Sequence, residues 1–200
     1  MTPRRVFMPG VGADPNFWRP LGDLLPADWN KTYLGWPGLG DQPAHPDINS
    51  YDDLIGLTLE AIGEGPADLV AQSMGGALAL KIALDHPGKI RRLVLSVTSG
   101  GLDVADLGAA DWRPAYRAAH PACPDWVMSE RIDLGDDLAR IVQPTLLLFG
   151  DADPIAPVAV GRRLAERLAN AQLHIVPGGD HDLARERPHE IADLIRRRLA

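Results

Sequence analysis

The chain has a single cysteine, Cys123, in 200 residues. No intrachain disulfide can form, and zinc sites built from several thiolates are excluded. Cys123 sits in Pro121-Ala122-Cys123-Pro124, a proline-bounded loop without motif context, and reads as a packing or loop residue rather than a nucleophile. Long apolar runs are also missing. No stretch reaches the roughly 20 residues that a membrane helix needs, so membrane insertion is not expected. Met1-Thr2-Pro3-Arg4-Arg5-Val6 runs straight into an apolar strand and lacks the hydrophobic region of a secretion signal, which points to a cytoplasmic protein. There is no internal repeat, no low-complexity tract and no excess of positive charge. The formal net charge is -7, and such a surface repels a phosphate polyanion, so no nucleic-acid partner is expected. The one dense basic run, Arg196-Arg197-Arg198, ends the last predicted helix, where cations complement the helix dipole.

The composition that remains is globular, with 46% hydrophobic and 24% charged residues, and the length suits one domain over 1–200. Short apolar runs alternate with helical patterns, the sequence form of a mostly parallel sheet with crossover helices on both faces. Strands are predicted at Val6–Met8, Lys31–Leu34, Leu69–Gln72, Leu93–Val97, Thr145–Phe149 and Leu173–Val176. Helices are predicted at Asn16–Leu25, Tyr51–Ile62, Met74–Asp85, Val158–Leu168 and Pro188–Leu199, the second capped by Ser50 with Asp52 and Asp53 in its first turn. From 100 to 141 no strand is evident, but Trp112, Tyr116, Trp126 and Met128 are spread through a Pro- and Gly-bearing segment. It reads as a small helical lid or as one crossover helix with packed aromatics; its length favours the lid.

The sharpest local signal is Leu69-Val70-Ala71-Gln72-Ser73-Met74-Gly75-Gly76-Ala77. An apolar strand runs into a serine, and glycines follow as a helix begins. A tight strand-to-helix turn strains its central residue and needs very small neighbours, a need that Ala71 and Gly75 meet. The hydroxyl would stand at the carboxyl end of the sheet beside the free N–H groups of the helix start. A phosphate loop would want a Lys-Ser/Thr pair, which is missing here. Gly10-Val11-Gly12 is no dinucleotide fingerprint, because Pro15 stands where the third glycine would be. A serine needs a base, and His181, in the loop after the last predicted strand, is placed to reach it. His45, His86, His120, His174 and His189 read as structural or solvated. An acid must then orient the imidazole. Gly150-Asp151-Ala152-Asp153 offers two, and Asp180 and Asp182 are too close in sequence to turn back onto the ring.

These features resemble the α/β-hydrolase fold superfamily, with Ala71 for the usual first glycine of the nucleophile elbow. The order Ser73, Asp153, His181 is that family's, unlike the chymotrypsin or subtilisin order. The resemblance implies Asp153 as the acid, three residues beyond Gly150, with Asp151 its rival. It further implies an oxyanion hole from the N–H groups of Val11 and Met74, where Pro9 replaces a usual histidine without removing either donor. Gly35-Trp36-Pro37-Gly38-Leu39-Gly40 is similar to a family loop and reads as a tight turn without catalysis. The match begins almost at the oxyanion-loop strand, which implies a compact version with a reduced cap and without two leading antiparallel strands.

The implied activity is hydrolysis of a small-molecule carboxylic ester, or another acyl substrate, through an acyl-enzyme, with no cofactor and no metal. The same constellation serves thioesters, lactones, amides and carbon–carbon bonds. The Gly-x-Gly and Trp18 region also looks like small carboxylesterases acting on pimeloyl esters. A non-catalytic ligand-binding member of the fold is a separate reading. A lyase or dehalogenase-like enzyme typically carries aspartate where Ser73 stands. Trp18, Trp112, Trp126 and Ile155 are the expected walls of a modest apolar acyl pocket. Nothing in the sequence specifies the oligomeric state.

Overall fold

In a computed structural model the described residues are 3–200; Met1 and Thr2, the start of the expected 1–200 unit and of the stretch read for a leader, lie outside them. Six strands form one sheet: β1 (Arg4–Met8), β2 (Asn30–Tyr33), β3 (Ala67–Gln72), β4 (Ile90–Ser96), β5 (Thr145–Gly150) and β6 (Ala171–Val176). Every residue of β3 and β5 is buried, although successive side chains point to opposite faces. Such runs are stable only with both faces covered, which is why they read as continuous apolar stretches rather than alternating ones. The spatial order is β2-β1-β3-β4-β5-β6, with every pair parallel. One row of the register runs Phe7, Val70, Val94, Leu146 and Gln172 across five strands.

Helices α1 (Arg19–Gly22), α7 (Leu183–Glu186) and α8 (Pro188–Leu199) pack together, with α8 against β4. Helices α2 (Tyr51–Ile62), α3 (Met74–Asp85) and α6 (Val158–Arg167) cover the strands from the other side, α3 against β3 and β4 and α6 against β5 and β6. Ser50 caps α2 by accepting from the Asp53 N–H at 3.2 Å. The expected first helix, 16–25, shortens to the single turn α1. Around it the bonds mix i→i−3 and i→i−4 partners, including Leu24 N–H to Leu21 O and Gly22 N–H to Trp18 O, with Pro20 and Pro26 contributing no donor.

Between β4 and β5 the chain makes two short helices, α4 (Arg113–Ala119) and α5 (Asp125–Ser129), and two 3₁₀ turns. Leu134 N–H to Gly101 O closes this segment on itself, while Ala110 N–H to Pro154 O and Tyr51 N–H to Glu130 tie it to the loop after β5 and to the start of α2. Among the described residues no helix is long and apolar enough to cross a membrane. The chain leaves β1 toward β2 on one side and returns to β3 on the other, so a crevice opens between the carboxyl ends of β1 and β3, where sheets of this kind place their ligands.

Candidate active site

Ser73 stands on that crevice, between the end of β3 and the start of α3, with φ 52° and ψ −120°. Two backbone bonds and one side-chain bond hold this strained turn: Ser73 N–H to Ser96 O at 2.9 Å, Gly76 N–H to Ser73 O at 2.9 Å, and the Thr98 hydroxyl to Ser73 O at 2.6 Å. Gly75 has to be glycine, because a β-carbon there would lie 2.5 Å from Pro9 O. The two loops of the crevice therefore touch backbone to backbone.

His181 Nε2 lies 3.0 Å from Ser73 Oγ, and its Nδ1 lies 2.8 Å from Asp153 Oδ2. With the proton on Nδ1, the ring donates to the carboxylate and accepts from the serine hydroxyl. Asp153 is buried, and its other oxygen accepts the Ile155 and Ala156 N–H groups at 2.8 and 3.1 Å. That leaves Oδ2 aimed at the imidazole. Asp151 is exposed and accepts from Gly178 N–H at 2.5 Å, so it ties the turn before His181 and does not meet the ring. The His181 and Asp153 loops approach so closely that a β-carbon on Gly150 would collide with Gly179 O. Gln72 Nε2 donates to His181 O at 3.2 Å and fixes the histidine backbone from the strand that carries Ser73.

The loop after β1 closes as a turn, with Ala13 N–H bonded to Gly10 O at 3.0 Å and Val11 inside it. Met74 is the first residue of α3, ahead of the first intrahelical bond, so its N–H has no partner within the helix. Two indoles anchor the loop from below: Trp18 Nε1 donates to Met8 O and Trp36 Nε1 to Pro9 O, each at 2.9 Å. A family model of the α/β hydrolase fold matches residues 6–134. The chain belongs to the α/β hydrolase fold family. A second model, of TAP-like proteins, matches residues 110–197. A poly(3-hydroxyalkanoate) depolymerase of Ectopseudomonas oleovorans is 28% identical, over 98% of this chain and 83% of its own. A pimeloyl-[acyl-carrier protein] methyl ester esterase of Neisseria meningitidis serogroup B / serotype 15 is 35% identical, over 86% of this chain and 83% of its own. The structure of an esterase from Thermogutta terrifontis superposes with a TM-score of 0.78 at 22% identity, covering 98% of this chain and 90% of that one.

In this α/β hydrolase two cavities meet at Val11, Ser73 and His181. One, of about 570 Å³ and the more apolar of the two, reaches under the 100–141 segment; Met74, Val97, Leu102, Val104, Trp112 and Ile155 wall it, with charged residues, among them Asp103, Asp111, Arg113 and Glu130, also on its lining. The other, of about 420 Å³, opens past Asp14, Asp41, His120, Asp182 and Arg185. Of the expected pocket walls, Trp112 and Ile155 do line the apolar cavity. Trp18 does not: it is buried among Phe7 and Phe17 with its indole N–H spent on Met8 O, so it supports the loop from the core. Trp126 lines neither cavity and instead packs edge-on against Tyr51, which does border the apolar one. Burial pushes the Tyr51 phenol above its ordinary range. Asp111, at the same cavity, is held below the ordinary carboxylate range by the Arg113 N–H. Sequence reading missed Trp36, Thr98 and Gln72. Their roles depend on contacts between segments far apart in the chain, although the sequence marks the Trp36 loop as a turn. Among the described residues no cluster of three His, Cys, Asp or Glu side chains is gathered as metal ligands would be.

Proposed function

We propose that this hydrolase cleaves carboxylic esters through an acyl-enzyme on Ser73, with His181 as the base and Asp153 as its orienting acid. The observation that supports this most directly is the unbroken chain from Ser73 Oγ to His181 Nε2 at 3.0 Å and from His181 Nδ1 to Asp153 Oδ2 at 2.8 Å. Ser73 Oγ attacks the ester carbonyl while its proton passes to Nε2, and Asp153 stabilises the imidazolium. The developing negative oxygen sits on the N–H groups of Val11 and Met74. Collapse expels the alcohol, which takes the proton from His181. Water, deprotonated by the same nitrogen, then frees the acid and restores Ser73.

An ester is favoured over a carbon–carbon bond because the 35%-identical relative is a methyl ester esterase, whereas the meta-cleavage product hydrolase of Pseudomonas fluorescens IP01, at 21% identity, supports the fold alone. The apolar cavity suits the acyl group and the polar one the alcohol side. The cavity of about 570 Å³, in the usual range for small ligands, supports a small-molecule substrate. A fluorophosphonate probe should label the wild type and not Ser73→Ala, and p-nitrophenyl esters should be turned over by the wild type alone. An unlabelled wild-type serine, or a Ser73→Ala variant that still turns over esters, refutes the reading.

A further inference from the structure

The Tyr116 hydroxyl reaches from α4 to the crevice loops and makes two bonds there: it donates to Val11 O at 2.9 Å and accepts from Gly40 N–H at 2.8 Å. The residues lie 105 and 76 positions apart in the chain, so neither contact follows from local structure. Burial pushes the phenol above its ordinary range, so the hydroxyl keeps the proton that it donates. The two peptide planes that meet at Val11 are then held independently. Gly10 O is fixed by Ala13 N–H, and the Val11 carbonyl is fixed by Tyr116. With both planes held, the direction of the Val11 N–H is set before any substrate arrives.

Tyr116 is also the middle of an aromatic column. Trp112 meets it edge-on at 5.6 Å and His120 lies at 4.6 Å, one turn of α4 apart on either side. Trp112 borders the apolar cavity and His120 the polar one. We propose that Tyr116 is the positioning residue of the oxyanion hole, and that the hole is formed only while α4 is seated, so that both halves of a substrate press on the column that aims Val11. The proposal rests on the ester-hydrolase reading, since an oxyanion hole has a role only in acyl transfer.

Tyr116→Phe keeps the ring in the column and removes both bonds. A misaimed oxyanion donor loses part of the 10²–10³-fold that such a donor supplies, so kcat toward a short p-nitrophenyl ester should fall by about 10- to 100-fold. KM should stay close to the wild-type value. A boronic acid that captures Ser73 as a tetrahedral adduct should bind weaker by the same factor, while the product acid binds as before. The measurements are made below the melting transition of both proteins. Unchanged kcat and boronate affinity in Tyr116→Phe, or a loss confined to KM, overturns the role of Tyr116 and leaves the esterase reading standing. A wild type that neither labels with fluorophosphonate nor turns over esters overturns both.

Discussion

The backbone of Ser73 permits a stability measurement that separates strain from chemistry. Its φ of 52° with ψ −120° is a conformation that costs a residue with a β-carbon about 1–3 kcal/mol. Ser73→Ala and Ser73→Gly both lose the bond to His181, so that contribution cancels between them. Alanine keeps the β-carbon and with it the strain. Glycine releases the strain but gives its unfolded chain more freedom, which costs about 0.4–1 kcal/mol. The difference leaves Ser73→Gly more stable than Ser73→Ala by about 1 kcal/mol. For a chain of this size that is about 2–4 °C in melting temperature. Urea unfolding of the two inactive variants measures it directly, with equal m-values required so that the midpoint shift reports stability alone. A Ser73→Gly variant less stable than Ser73→Ala at equal m would show that the turn stores less strain than the unfolded-chain cost of glycine, about 0.4–1 kcal/mol, and would refute the 1–3 kcal/mol assigned to it.

Asp153→Asn should lower turnover by about 10⁴-fold, because the amide favours the wrong imidazole tautomer, while Asp151→Asn keeps turnover within about tenfold of wild type; steady-state kinetics on one ester decides between them. Thr98→Val removes the hydroxyl that joins Ser73 O to Gly100 N–H and leaves a buried N–H without a partner, so unfolding free energy should drop by about 2 kcal/mol in a urea titration. Asp53 is held below its ordinary value of 3.8 by the Asn49 N–H and the Ser50 hydroxyl. A carboxylate depressed in the folded state adds stability above 3.8 that is lost as pH falls through the lower folded value, so Asp53→Asn should flatten the acid limb of a melting-temperature profile.

Most of the sheet was legible because its strands are buried on both faces and so carry an uninterrupted apolar signature. All six expected strands are present, with ends moved by up to three residues, as at Ile90, where β4 begins before its most apolar stretch. The approach of His181 to Ser73 was legible because a strained turn constrains its neighbours and because the loop after the last strand leaves the sheet at the edge where that turn lies. Asp153 needed the family resemblance, since residue chemistry alone could not separate it from Asp151. The geometry separates them through the Ile155 and Ala156 N–H groups, which turn one carboxylate inward. The tryptophans misled for a physical reason. Indole is as suited to a core that owes it a carbonyl as to a pocket wall, and only the fold shows that Met8 O and Pro9 O are the acceptors for Trp18 and Trp36.

The distribution of strain supports the same site without reference to any motif. Ala13, Ser73 and Val97 are the non-glycine residues with positive φ among those described, at 60°, 52° and 45°. They fall in the loops after β1, β3 and β4, three neighbouring strands of one sheet, and all at its carboxyl edge. Each borders a cavity that contains Ser73. Strain of this kind persists only where surrounding bonds over-determine the backbone. Here those bonds tie the loops to neighbouring strands, Ser73 to Ser96 of β4 and Val97 to Leu148 of β5, close the first loop on itself, Ala13 to Gly10, and join two loops, Thr98 to Ser73. The buried parallel sheet supplies the rigid frame from which they act, and its stability offsets the cost. A sheet selected for stability alone would relax these three residues first. Their shared location therefore marks the edge on which the fold's free energy is spent on geometry.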